Sequence, residues 1–236
     1  MIADLHPDLV QGLTELVLPK GLAIVARDPR RIPVAMDPQE GVAVKDAVPR
    51  RVAEFHAGRA AARAAMVALG MPPRPIPMGP DRAPIWPSGL AGSISHSADA
   101  CVAAVGLSDV WAGVGVDLEE ATPLDPLLVA EICTKSEQRW LGLQPPSERG
   151  LMAKLIFSAK EAAYKAQYPV SGVVFGFDVL EIIIDREATR FEAVFQSPQG
   201  VIPAGSVLIG SYAHAAGLLV TGVAFRQSEL EQLSNS

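Results

Sequence analysis

Phe157-Ser158-Ala159-Lys160-Glu161-Ala162-Ala163-Tyr164-Lys165-Ala166 is the stretch on which the reading of this chain turns. It lies in a run over about 149–168 with no Gly or Pro after Gly150. Ala, Lys and Glu favour helix, so the run reads as one helix. Residues four apart share a helical face. Phe157, Glu161 and Lys165 therefore line up, and Lys160 stacks with Tyr164. Taken alone, this pattern fits a solvated Glu–Lys pair worth about 0.2–0.5 kcal/mol.

A second stretch gives those charges another meaning. Val114-Gly115-Val116-Asp117-Leu118-Glu119-Glu120 reads as a strand, because Val114, Val116 and Leu118 alternate with other residues. Asp117 and Glu119 then share the opposite face, roughly 6.6–6.8 Å apart along the strand. Two carboxylates facing one way repel unless a cation lies between them. A plain alternative is a strand end running into a solvated acidic turn, since Glu120 continues the charge. With Glu161 added from a nearby helix, the three would make an oxygen site for a hard divalent cation. Mg²⁺ suits such a site because it keeps positions for water and substrate phosphates.

The bulk of the sequence sets limits. The chain has 236 residues, 49% of them apolar and 19% charged, which describes a globular protein of one large or two small domains. A net charge of −6 argues against a general nucleic-acid binder. The first 18 residues are interrupted by Asp4, His6, Pro7, Asp8 and Glu15, unlike a signal peptide. The longest apolar stretch, 213–225, is short and Gly-interrupted, so strand fits better than a membrane span. Cys101 and Cys133 lie far apart, and reduced, buried thiols in a cytoplasmic protein are expected.

In chain order, helix is expected over 1–20, strand over 21–26, loop over 29–41 and helix from about 48–50 to 69. The last of these closes at Gly70 with Pro72-Pro73 beyond. Around it Arg50, Arg51, Arg59, Arg63, Arg74 and Arg82 face only Glu54 and Asp81. That patch fits either a solvated face or a phosphate site, because Arg forks onto phosphate oxygens. Residues 72–87 are a Pro-rich loop. His96 lies between two serines before an apolar strand over 101–106, and reads as a structural histidine or as a phosphate contact. Residues 110–118 are expected to pair with that strand. Serine-hydrolase, dinucleotide and phosphate-loop motifs are absent.

Residues 121–126 are the candidate boundary between an N-terminal lobe, 1–122, and a C-terminal lobe, 123–236. Short helix is expected over 127–133, and Thr134 with Glu137 forms a capping box for the next helix. After Pro169 strands are expected over 173–175, 180–185, 190–196, 207–214 and 218–225, with a frayed tail from Arg226. The fold class is thus α+β: two similar lobes with a cleft between them, and Asp117, Glu119 and Glu161 meeting across it.

Gly115-Val116-Asp117-Leu118-Glu119 resembles the Gly-(Ile/Val)-Asp-x-Glu signature of the 4′-phosphopantetheinyl transferases. Phe157 to Lys165 resembles the same family's Phe-(Ser/Cys)-x-Lys-Glu-(Ala/Ser)-x-(Tyr/Phe)-Lys signature, at the expected separation. Trp86-Pro87-x-Gly89 with Gly92-Ser93-Ile94-Ser95-His96 resembles the enterobactin-synthase branch of the surfactin-type group. The resemblance implies transfer of 4′-phosphopantetheine from coenzyme A to a serine of an apo acyl, aryl or peptidyl carrier protein, releasing 3′,5′-ADP. It implies Mg²⁺, or Mn²⁺ in its place, on Asp117, Glu119 and Glu161. Glu161 is the implied base, with Lys165 and Asp117 also catalytic. Coenzyme A contacts are implied at Arg51, Arg59, Arg82, Ser95, His96, Asp117, Lys160 and Lys165. The surfactin-type group is generally monomeric. Met78 stands where related proteins carry a lysine, and Arg82 or Arg74 is the candidate substitute. Two other readings remain: a non-catalytic module binding coenzyme A or a carrier, and a different metal-assisted phosphoryl-transfer enzyme.

Overall fold

The computed structural model describes residues 18–31, 36–97 and 100–234, with side chains described to residue 230. The helix expected over 1–20 lies almost wholly outside the described residues. Strand β1, Ala23–Arg27, is followed by a short helix α1, Pro38–Gly41, capped by Asp37. Helix α2, Pro49–Ala68, opens with proline at its first turn, where a missing N–H costs nothing. Gly70 follows it at φ +74°, a conformation glycine adopts without penalty. Strands β2, Leu90–Ser97, and β3, Ala100–Leu107, complete an antiparallel sheet in the order β1-β3-β2. Ala61, Ala62, Ala65 and Met66 of α2 pack on it with Ala103 and Val105.

Strand β4, Trp111–Glu120, was expected to extend this sheet, and it does not. It hydrogen-bonds to the C-terminal strand instead, in a five-stranded antiparallel sheet ordered β4-β8-β7-β6-β5. The partners are β5, Leu180–Asp185, β6, Arg190–Phe195, β7, Val207–Ala215, and β8, Leu218–Arg226. By strand pairing the division between sheets therefore falls before β4, ahead of residues 121–126. The two sheets are unequal, three strands against five.

Three helices lie between β4 and β5: α3, Pro126–Ile132, α4, Lys135–Leu143, and α5, Pro146–Ser171. The capping box at Thr134 and Glu137 is formed. Helix α5 contains the opening stretch and packs across the large sheet on Ala159, Ala162, Ala163 and Ala166, all fully buried. It runs past Pro169 to Ser171, because a proline in the last turn sacrifices only one helical hydrogen bond. Residues 173–175 are not strand, and the tail forms helix α6, Gln227–Ser234. Both cysteines are free and buried, as expected. No described helix is long and apolar enough to cross a membrane.

Candidate functional site

The site forms where β4 meets α5, and glycine makes the meeting possible. A Cβ on Gly115 would collide with the Ala162 carbonyl and lie 2.7 Å from the Ala166 nitrogen. One on Gly113 would collide with the Ala166 carbonyl. Strand and helix backbones therefore touch, which holds the next residues of β4 against the side chains of α5. On its other edge β4 has no strand partner among the described residues. Serines of β2 serve it instead: Val116 N–H donates to Ser93 Oγ at 3.1 Å, and Leu118 N–H to Ser95 Oγ at 3.2 Å.

Asp117 is buried, at 4% exposure, and well supplied with donors. Its Oδ1 accepts from Ser95 Oγ at 2.9 Å and Lys165 Nζ at 2.6 Å. Its Oδ2 accepts from Ser158 Oγ at 2.9 Å. Glu119, two residues on, accepts from Lys154 Nζ at 3.0 Å. Lys154, Ser158, Glu161, Lys165 and Tyr168 recur at intervals of three and four, so they form one stripe along α5. Glu161 makes no hydrogen bond or ion pair among the described residues.

Burial holds the Glu119 and Glu161 carboxyls above the usual range. Lys154 works against this at Glu119, and Lys165 at Glu161, while Asp117 and Glu119 both push Glu161 further up. The three carboxylates thus feel one another. Yet no group of three His, Cys, Asp or Glu side chains among the described residues is drawn close enough to hold a metal. The donor chemistry fits a hard cation: three carboxylates, two raised by burial, with excess negative charge between strand and helix. In the structure lysine ammoniums supply the counter-charge.

Beside the carboxylates lies a cavity of ≈ 510 Å³. Arg51, Arg59, Arg82, His96 and Lys165 all line it, with Trp86 and Tyr164 among its aromatic walls. Lys165 links the two regions, since it lines the cavity and bonds Asp117. Arg59 donates from Nε to the Ile76 carbonyl at 2.7 Å and lies over the Phe55 ring. Burial pushes its pKa down to about 10, which leaves it charged at neutral pH. Burial and then Arg51 lower the His96 pKa, so the ring is neutral. Arg51 hydrogen-bonds its Nε2, which places the ring proton on Nδ1, 3.7 Å from Glu54. Met78 also lines the cavity, and of the two substitutes it is Arg82, not Arg74, that does so.

One expected contact is corrected, and another has protein partners in the structure. Lys160, read as a phosphate contact, is 1% exposed and points away into the protein. Its Nζ donates at 2.8 Å to Glu137 Oε2 and to the carbonyls of Ile132 and Phe177. Ser95, read as a coenzyme A contact, is occupied between Asp117 and the β4 backbone. Lys154, Ser158 and Tyr168 went unnoticed in the sequence, although the stripe they complete was visible there.

Comparison with known proteins agrees with this arrangement. Residues 39–106 match the 4′-phosphopantetheinyl transferase N-terminal domain, and residues 113–216 the 4′-phosphopantetheinyl transferase superfamily. The chain is 37% identical over 190 residues to 4′-phosphopantetheinyl transferase Svp of Streptomyces mobaraensis, covering 79% of this chain and 77% of that one. It is 38% identical over 124 residues to enterobactin synthase component D of Salmonella typhi, covering 50% of this chain and 48% of that one. A holo-(acyl-carrier-protein) synthase from Bacillus anthracis, solved with CoA (3′,5′-ADP), aligns at TM-score 0.38 and 20% identity over 50% of this chain and 97% of that one. With both halves matched and the two signatures meeting at β4 and α5, the chain belongs to the 4′-phosphopantetheinyl transferase superfamily.

Proposed function

We propose that this protein moves the 4′-phosphopantetheine arm of coenzyme A onto a serine of an apo carrier protein. The serine oxygen attacks the phosphorus bearing the pantetheine arm, the pyrophosphate P–O bond breaks, and 3′,5′-ADP leaves. The single observation behind this reading is that Lys165 joins a cationic, aromatic-walled cavity to a cluster of carboxylates. Arg51, Arg59 and Arg82 supply donors for the nucleotide phosphates, and neutral His96 can donate one hydrogen bond. Lys165 is placed to follow charge that develops on the leaving phosphate.

Serine is a weak nucleophile and needs a base. Glu161 suits that role. Its carboxylate makes no hydrogen bond or ion pair among the described residues, and burial raises its pKa toward the useful range for a base. A non-catalytic binding module would have no use for such a group. Asp117, Glu119 and Glu161 would hold a Mg²⁺ or Mn²⁺ ion, whose charge would neutralise the pyrophosphate when bound. The reading carries with it a monomeric, cytoplasmic enzyme serving acyl, aryl or peptidyl carriers.

Incubating the protein with coenzyme A, Mg²⁺ and a panel of apo-carriers tests it by mass spectrometry. The expected result is one carrier or more heavier by a single phosphopantetheine. No mass change across carriers of all three types would reject the proposal.

A further inference from the structure

We propose that Lys154 is a resident counter-cation of the acidic site, which a divalent metal must displace from Glu119 in order to bind. This rests on the metal-assisted reading above. Lys154 lies one helical turn before Ser158 and two before Glu161, on the same stripe of α5. Its Nζ lies 3.0 Å from Glu119 Oε2, and its side chain is only 14% exposed. Lys165 does the same for Asp117 at 2.6 Å. Asp117 and Glu119 of β4 are thus each already matched by an ammonium from the helix that carries Glu161.

The two lysines are not equivalent. Lys165 lines the cavity and bonds Ser95 Oγ and the Val116 carbonyl as well as Asp117, so it has phosphate oxygens to turn to. Lys154 does not line the cavity. Apart from Glu119, its Nζ lies over the Phe157 ring, 5.8 Å from the centroid. Among the described residues its ion pair is with Glu119 alone. Metal entry is an exchange of cations: the ammonium leaves Glu119 on its flexible four-carbon stem, and the divalent ion takes the freed oxygen. While the metal is out, the lysine keeps Glu119 from sitting as an uncompensated charge between strand and helix. It also fixes that carboxylate in the direction of α5.

This makes a directional claim about affinity. Lys154→Met keeps an unbranched apolar stem while removing the charge and with it the ammonium over the Phe157 ring. The ion pair no longer competes, and one like charge fewer lies beside the metal. Mn²⁺ should then bind about 3- to 10-fold more tightly, judged from the modest worth of partly exposed ion pairs and like-charge repulsion at this range. Lys154→Arg should bind as the intact protein does.

The test uses the full-length protein with coenzyme A and without carrier, so no turnover is involved. Free Mn²⁺ is followed by electron paramagnetic resonance during titration. Tighter binding by Lys154→Met, with a metal-free melting temperature below that of the intact protein, supports the exchange. Equal or weaker binding by Lys154→Met, where the intact protein does bind Mn²⁺, overturns the Lys154 proposal and leaves the metal site standing. No Mn²⁺ binding by either protein overturns the metal reading itself and this proposal with it. Lys154→Gln replaces the Met variant if the latter does not fold, with the same outcomes.

Discussion

Replacing Gly115 by alanine probes the contact on which the site depends. The new Cβ would strike the Ala162 carbonyl, and it would lie 2.7 Å from the Ala166 nitrogen and 3.0 Å from the Ala162 carbonyl carbon. All of these atoms are backbone, so no side chain can turn aside. Relieving the collision with the Ala162 carbonyl to ordinary contact at about 3.5–4.0 Å requires α5 and β4 to separate by roughly 1.5–2 Å. The Ser158–Asp117 bond, 2.9 Å long, spans the same interface and would stretch beyond bonding distance. Overpacking costs about 1–3 kcal/mol, and the strained buried hydrogen bond places this case at the upper end, about 3 kcal/mol. For a chain of this size that lowers Tm by roughly 6–12 °C. A displacement of even about 1 Å costs catalytic groups on the order of a hundredfold in rate, so at least that loss is expected here. Thermal melting followed by circular dichroism, with initial transfer rates at low temperature, measures both. Gly142→Ala is the control, because that position in α4 is open on every side, and alanine should leave Tm unchanged or slightly raised. A Gly115→Ala protein with unaltered Tm and rate would refute the idea that close backbone approach builds the site.

Lys160→Met should act on stability, because it leaves the buried Glu137 carboxylate without its counter-charge, at a cost of about 3–5 kcal/mol. A raised KM for coenzyme A at unchanged Tm would instead return Lys160 to the phosphates. Glu161→Gln should abolish transfer yet raise the Tm of the metal-free protein at pH 7. The sign follows from its raised folded-state pKa: the group's favourable contribution is complete below the ordinary value of 4.5 and is lost as pH rises through the folded value. The gain over the intact protein should therefore fade as pH is lowered toward 4.5, and a gain independent of pH would contradict the burial of this carboxylate. Burial pushes the Cys101 and Cys133 thiols up to about 12 and about 11. Neither should react with a disulfide reagent at pH 8 until the protein is unfolded, and rapid labelling of the native protein would show the packing around them to be wrong.

The sequence disclosed the chemistry more readily than the topology. Asp117, Glu119, Glu161 and Lys165 stand out because strand and helix periods place them on definite faces. The two sheets and seven of the eight strands, all but β2, follow from apolar runs bounded by turns. The pairing of β4 did not, because an apolar strand can hydrogen-bond to a neighbour in sequence or to one a hundred residues away with the same pattern. Strand β2 was passed over since Gly92, Ser93 and Ser95 look like loop, whereas those serines are there to receive the β4 amides. Lys160 misled for a similar reason. A lysine inside a signature reads as a ligand contact, and only coordinates reveal that Glu137 meets it in the interior.

The transfer reaction tests the metal-assisted site most directly when run against metal concentration. After chelation, Mg²⁺ is returned stepwise to the protein, coenzyme A and an apo-carrier that accepts the arm, and the initial rate of mass gain is recorded. The expected result is a rate that falls to background with chelator, rises to saturation with Mg²⁺, and is absent at every concentration in Asp117→Ala. Full turnover in the presence of chelator, or an Asp117→Ala protein that still responds to Mg²⁺ as the intact protein does, would contradict it.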